Sequence, residues 1–505
     1  MDRKTAFALV LGLLTATGIW LLAISTPHGL GLTDDAISYI AASRALLAGQ
    51  GFTRIWLATG LEPITHWPPF FSFSLAVIST ILKIDPYRSA RVLNILVFGA
   101  NAGILALLGY KMTKSRLVGI FLSILFLSNT ALLRLHAQAL SEPLYILVSL
   151  LAFSAFYRAF SEIANKQSKW LVIAGTLTGL SYLTRYAALS LIATFIIAIF
   201  ILRPTWRKRF TSLAYFLAGT LPPILVWMLR NKLISGTATN RAIEWHPVSL
   251  ENIQRGFAEF FSFLISLPEL HQNWIENYLL LGIILSCIAL VLLFWLLSRS
   301  IRYFLNAKEN RPPEIISFLT ILYIFSYMSS LLVSLSFFDA ATPLNDRILS
   351  PVYLAIFVIL VYFIHRLYQQ GKIASRIFAS GLILFFIGSS LIAQIRTVPV
   401  LQESATGFAS WRWSESVVMA QICDLPADID IYTNQPPAVF FWTGRAAYRL
   451  WDEQPESIRN GDDTLAIFFP DYAEIPEFQA WLEMMTEGLE PIQKSGLGNL
   501  YRKVE

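Results

Sequence analysis

Long apolar runs, each close to the ~20 residues that cross a bilayer, recur through the first four-fifths of the chain. They fall near residues 5–25, 91–110, 117–133, 143–160, 170–184, 186–202, 210–229, 278–298, 315–337, 352–367 and 376–395. The pattern predicts about eleven transmembrane helices. One further run, Phe70–Leu82, is short for a span and suits an interfacial or re-entrant helix. Parity decides how to treat it. If it does not cross, the basic loops Lys111–Arg116, Arg158–Lys169, Arg203–Arg209, Arg299–Arg311 and Arg366–Arg376 share one side with Arg3 and Lys4. That is the positive-inside arrangement, and a crossing at 70–82 would destroy it. The opposite side then holds 26–90, the turn 134–142, the loops 230–277 and 338–350, and everything after about residue 396. The N-terminal run is too long for a signal peptide and has no clear small-x-small cleavage site, so it is expected to stay as an anchor.

The pattern changes in the tail. Ile429–Thr433 and Thr464–Phe469 read as strands, and Ala438–Thr443 and Glu474–Met485 as helices. Ile492–Val504 reads as a closing hairpin about Gly496 and Gly498. The expected architecture is therefore an all-α polytopic membrane domain over 1–395, with 26–90 as its first outer loop. A small extracytoplasmic α/β domain over 396–505 follows.

Composition narrows the class. Of 505 residues, 55% are hydrophobic and mean hydropathy is +0.56, which excludes an ordinary soluble protein. The net charge of +6 and pI near 9.1 do not imply nucleic acid, because the basic residues sit in loops between apolar runs. The two cysteines, Cys287 in an apolar run and Cys423 in the tail, give no disulfide framework.

Candidate chemistry gathers on one side. Asp34, Asp35, His66, Arg91, Arg134, His136, Glu142, Arg185, Arg241, His246, Asp346 and Arg347 all fall at or near the outer interface. Each has an ordinary explanation when taken alone. Asp34–Asp35 suit a helix cap, Glu142 before Pro143 suits a helix start, and an arginine can snorkel. His66 before Pro68–Pro69 can end a loop. Acids and bases collected on one face are a functional signal, because ionisable groups at span ends are costly unless paired or solvated.

Six runs in fixed order carry a resemblance. They are Asp34-Asp35, followed by Ala48-Gly49-Gln50-Gly51-Phe52; His66-Trp67-Pro68-Pro69-Phe70; Arg91 opening a span; and Ser141-Glu142-Pro143-Leu144. Gly179-Leu180-Ser181-Tyr182-Leu183-Thr184-Arg185-Tyr186 and Asp346-Arg347-Ile348-Leu349-Ser350-Pro351 complete the series. Over residues 1–395 the chain resembles the GT-C glycosyltransferases, and among them the protein O-mannosyltransferase group (family 39) and the aminoarabinose transferases of lipid A. The tail run Tyr432-Thr433-Asn434 to Thr443-Gly444-Arg445 looks like a bacterial sub-branch. The first-loop pair departs from the family's Asp-Glu, keeping two acids.

The resemblance implies transfer of a sugar, hexose or pentose, from a polyprenyl-phosphate donor to a lipid, glycan or protein acceptor. The reaction would occur at the outer face of a bacterial inner membrane, with inversion. Asp34 is then the general base, with Asp35 and Glu142 as further catalytic acids. Arg91, Arg185, Arg347 and His66 would bind the donor phosphate. The pattern names no certain cofactor. A divalent cation, magnesium or manganese, is left open, with Asp34 and Glu142 as its candidate ligands. A lipid-linked-sugar transporter is the competing reading. It calls for mid-membrane charges and two related halves, and no internal repeat is visible. A membrane scaffold is a third reading, and it would tolerate loss of the Asp pair.

Overall fold

The computed structural model describes residues 2–161, 166–238, 243–270, 279–306, 312–339, 342–450, 458, 463–470 and 473–503. Its first part is helical throughout. The helices are α1 (Arg3–Ser25), α2 (Asp34–Leu47), α3 (Phe70–Leu82), α4 (Pro86–Thr113), α5 (Arg116–Ser128), α6 (Thr130–His136), α7 (Glu142–Ser161) and α8 (Gln167–Thr184). They continue as α9 (Leu189–Leu202), α10 (Trp206–Ser235), α11 (Leu250–Leu264), α12 (Leu279–Asn306), α13 (Pro312–Phe337), α14 (Asp346–Gln369) and α15 (Ile373–Glu403).

Each of the eleven predicted spans is helical. Among the described residues, eight helices are long and apolar enough to cross a membrane: α1, α4, α7, α10 and α12–α15. The pair α5 and α6 makes a ninth if counted as one span bent by 65°. The break is at Asn129, whose carbonyl oxygen Oδ1 accepts from the Leu132 amide at 3.0 Å to start a new helix. The other two expected spans are α8, which is 18 residues long and carries many polar positions, and α9, which has only 14. The run at 70–82 is a separate 13-residue helix, as its length predicts. The chain is a multi-pass membrane protein.

Helix contacts rely on small residues where backbones meet, the usual solution where lipid removes a hydrophobic incentive to associate. Gly175 and Gly179 of α8 face Phe216–Pro223 of α10, and a Cβ on Gly175 would lie 2.0 Å from the Phe216 carbonyl oxygen.

Beyond α15 the chain forms α16 (Val417–Asp424), α17 (Pro436–Thr443) and α18 (Pro476–Thr486) against a five-stranded sheet. A small ribbon of β1 (Thr53–Arg54) and β2 (Glu62–Pro63) lies in the first outer loop. The sheet strands are β3 (Ile431–Thr433), β4 (Tyr448–Arg449), β5 (Thr464–Phe468), β6 (Leu489–Lys494) and β7 (Gly498–Lys503), in the order β4-β3-β5-β7-β6. The β4-β3-β5 half is parallel and the β5-β7-β6 half antiparallel. The strands and helices expected from the tail pattern are all present. The tail motif is structural. Asn434 exchanges two hydrogen bonds with Phe468, and Arg445 donates to the Leu425 and Ile429 carbonyls.

Three short segments join the two parts. Gly31–Leu32 is the middle ply. The Gly31 amide donates to Ala137 at 2.8 Å, and its carbonyl accepts from Ala139 at 3.0 Å. On the other side the Leu32 amide donates to Thr406, and the Leu32 carbonyl accepts from Phe408, both at 3.0 Å. The middle ply lies just before Asp34–Asp35, one outer ply leads into Glu142, and the other leads from α15 to the tail domain.

Candidate active site

The charged candidates sit at helix ends on one side of the bundle. Asp34 and Asp35 open α2, Glu142 opens α7, Arg185 follows the last residue of α8, and Arg347 is the second residue of α14. Neutral neighbours do the capping. Thr33 accepts from the Ala36 amide to start α2, and Asn345 accepts from the Ile348 amide to start α14. The aspartates are therefore free of the capping task that their position suggests. Arg185 is extended (φ −152°), which ends α8 and turns its side chain toward α7.

Glu142 is fully buried. Its Oε1 receives both the Arg185 Nη1 and the Arg347 Nε, and its Oε2 accepts from Ser141 Oγ at 3.4 Å. The Arg347 Nη2 donates to Asp35 Oδ2 at 2.6 Å, and the Trp67 Nε1 donates to Asp35 Oδ1 at 3.2 Å. Tyr39 Oη lies 3.3 Å from Ser141 Oγ. The chain of contacts thus runs Arg185–Glu142–Arg347–Asp35–Trp67. Its two acids and two guanidiniums balance, which is what makes burial of the set tolerable.

Asp34 is the acid left over. Among the described residues no hydrogen bond or ion pair engages its carboxylate, and its side chain is exposed to solvent. Even so, surrounding protein partly strips its hydration. That effect and the Asp35 charge beside it push its carboxyl above the usual range, while Arg449 pulls it back. Tyr39, buried behind the pair, has its phenol pushed well up by burial and by the Asp35 and Glu142 charges.

Residues 54–232 match the family model described as dolichyl-phosphate-mannose-protein mannosyltransferase. No curated protein matches the chain. Several solved structures superpose on it. ArnT from Cupriavidus metallidurans, solved with undecaprenyl phosphate bound, does so with a TM-score of 0.52 at 13% identity, over 100% of this chain and 99% of its own. The archaeal oligosaccharyltransferase AglB from Archaeoglobus fulgidus, in complex with an inhibitory peptide and a dolichol-phosphate, gives 0.54 at 12% identity, over 92% and 70%. The mycobacterial arabinofuranosyltransferase AftD gives 0.50 at 12%, over 100% and 42%. The chain has the GT-C glycosyltransferase fold.

Within this GT-C frame the sequence candidates divide. Asp35, Glu142, Arg185 and Arg347 form one connected set, and Asp34 adjoins it. Arg91 does not join them. It donates to the carbonyls of Thr26 and Ala23, completing the C-terminal end of α1, where carbonyls lack partners within the helix. His66 is exposed and meets the Trp67 ring edge-on, and it is Trp67 that reaches Asp35. His136 is a buried core residue held by Leu132 and Asn101. The Glu244 and His246 amides donate to Phe337 and Ser336 at the end of α13. Arg241 lies outside the described residues. Sequence reasoning passed over Trp67 and Ser141, although both lie inside runs already singled out, and Tyr39, which follows the Asp34–Asp35 pair on α2.

The pair offered as cation ligands does not fit that role. Glu142 is taken by two guanidiniums, and a divalent ion placed on it would face both. Among the described residues, no group of three or more His, Cys, Asp and Glu side chains could hold a metal ion.

Proposed function

We propose that this GT-C protein transfers a sugar from a polyprenyl-phosphate donor to an acceptor hydroxyl or amine at the outer face of a bacterial inner membrane. The observation that carries the reading is a carboxylate, Asp34, with no hydrogen-bond or ion-pair partner among the described residues, beside a partly buried set that presents two guanidiniums. An arginine has five N–H donors in a fork. Arg347 uses two groups on Glu142 and Asp35, and Arg185 one on Glu142, so both keep donors for a phosphate. The match to the mannosyltransferase model and the likeness to ArnT and AglB, solved with lipid phosphates, support the donor class.

The chemistry is a single displacement. The acceptor oxygen or nitrogen attacks the anomeric carbon and gives its proton to Asp34. The bond from that carbon to the phosphate oxygen breaks, and the polyprenyl phosphate leaves with the electron pair. The arginines stabilise the growing phosphate charge without reorganising, since Glu142 and Asp35 already hold them in place. One displacement inverts the anomeric configuration. Glu142 therefore serves as the arginines' counterion, and Asp35 with Trp67 orients Arg347. An apolar cavity lined by Tyr145, Phe153, Tyr323, Leu354 and Val358 lies between α7, α13 and α14 and suits the first units of a lipid tail.

The test uses purified protein in nanodiscs, a panel of radiolabelled polyprenyl-phosphate sugars, and membrane extract as acceptor. Wild type should release free polyprenyl phosphate with one donor class, and folded Asp34→Asn should lose about 10²–10⁴-fold of that rate. Equal release by both proteins would remove Asp34 from the role. No release with any donor, with labelled lipid changing leaflet in both proteins, would favour transport.

A further inference from the structure

The span α10 starts in the basic loop Arg203–Arg209, so Arg230, near its other end, stands on the side those loops avoid. A cation kept there needs a local reason, and the base of the β1–β2 ribbon supplies one. The Arg230 Nη2 donates to the Phe52 carbonyl at 3.1 Å, and its Nη1 donates to the Ile64 carbonyl. Phe52 and Ile64 flank the ribbon and are themselves joined, since the Ile64 amide donates to the Phe52 carbonyl at 3.0 Å. The same Nη1 donates to Asn231 Oδ1 at 3.0 Å, and Asn231 Nδ2 donates to the Thr65 carbonyl at 3.3 Å. The guanidinium also lies over two rings, 5.8 Å from the centroid of Phe52 and 5.0 Å from that of Trp227. Trp227 has its own anchor, because its Nε1 donates to Tyr186 Oη at 3.0 Å. Among the described residues no carboxylate pairs with Arg230, so carbonyl oxygens and ring faces receive its charge.

We propose that Arg230 is a positioning residue of the site: by clasping both ends of the ribbon to α10, it sets the run His66-Trp67 so that the Trp67 indole meets Asp35. The path is short, and every link is a hydrogen bond or the chain itself. Arg230 and Asn231 hold Ile64 and Thr65, and Trp67 follows Thr65 by two residues. Pro68 and Pro69 stiffen the turn beyond it, so a shift at Thr65 is passed to Trp67 instead of being absorbed there. Trp67 Nε1 then donates to Asp35 Oδ1 at 3.2 Å, and Asp35 Oδ2 accepts from Arg347 at 2.6 Å. This inference rests on the reading of Arg347 as a ligand of the donor phosphate. The task suits arginine alone, because oxygens from three residues match a planar fork of donors, whereas the lysine ammonium is a single point on a flexible stem.

The experiment reads Trp67 directly and needs no substrate. Full-length protein labelled with 5-fluorotryptophan is placed in nanodiscs, and its fluorine NMR spectrum is recorded. The Trp67 resonance is the one lost in Trp67→Phe, and Asp35→Ala shows where it lies without the carboxylate. Arg230→Gln and Arg230→Lys should both move it toward that position. The Trp170 resonance, assigned in the same way at the far end of α8, should stay in place. The lysine variant keeps a cation and a stem over the rings, so it separates the fork from the charge if the glutamine variant folds poorly. A Trp67 resonance unmoved in both variants would overturn the proposal. In transfer assays, either variant should lower kcat more than it raises KM, by up to about 10²-fold, and that loss should vanish in a Trp67→Phe background. Equal losses in both backgrounds would make Arg230 a support of the fold alone and would overturn the proposal as well. The expected resonance shifts in a protein whose wild type transfers no sugar from any donor would instead sink the transferase reading alone.

Discussion

Two carboxylates with different surroundings illustrate the residue scale. Glu142 is buried and shared by Arg185 and Arg347, whereas Asp34 is exposed and unshared. Glu142→Gln would leave Arg185 without its charge partner and Arg347 with Asp35 alone, a loss of about 3–5 kcal/mol for a broken buried pair. Thermal unfolding in detergent should show that loss, together with weaker donor binding. Asp34→Asn should melt no lower than wild type, since it removes repulsion of Asp35. Asp34 must be ionised to accept a proton, and its proton affinity is raised. Activity should therefore fall as pH drops, with its acid limb above the ordinary aspartate value. A limb at or below that value would argue for another base. Residue types at span ends were enough to single out Asp34, Asp35, Glu142, Arg185 and Arg347. Which acid pairs with which base was not legible, because pairing depends on helix rotation. Trp67 and His66 are neighbours in sequence, and only the turn entering α3 decides which one faces Asp35.

At the scale of elements, helices were legible and the junction between them was not. Apolar length marks α4 or α14 directly, but residues 31–32, 137–139 and 406–408 are joined by backbone hydrogen bonds, which leave no pattern in side chains. The bend at Asn129 does leave a side-chain signal, the polar run Ser128-Asn129-Thr130 with a helix cap at its centre, but the apolar residues on either side read together as one span. The junction has a test in Gly407. Its φ of +63° favours glycine, and a Cβ there would lie 2.1 Å from the Leu32 carbonyl oxygen. Gly407→Ala should cost on the order of 1–3 kcal/mol and depress turnover by shifting the Asp loop. Gly488 also has positive φ but open space around it, so Gly488→Ala should leave turnover unchanged. Equal turnover losses in both variants would show that backbone strain, not the junction, is responsible.

At the scale of the whole molecule, the tail is part of the site's support. A chain cut after Glu403 keeps every candidate span yet loses the Thr406–Phe408 ply. It should insert in the membrane and show little transfer with any acceptor. Full rate in that truncation would make the tail dispensable. Sidedness has its own check, because Cys423 is exposed on the tail. A membrane-impermeant thiol reagent should label it in right-side-out vesicles without permeabilisation. Labelling only after lysis would invert the topology drawn from the basic loops.

The middle ply, Gly31–Leu32, is synthesised long before the ply that closes it, Thr406–Phe408, which follows the last candidate span. The proposed activity should therefore arise only once that ply has formed. Its first loop must wait, already delivered to its side of the membrane, until the last helix has inserted and the tail has followed it across. On the proposed function, a chain released before Thr406 would leave its first loop unclosed and should transfer no sugar.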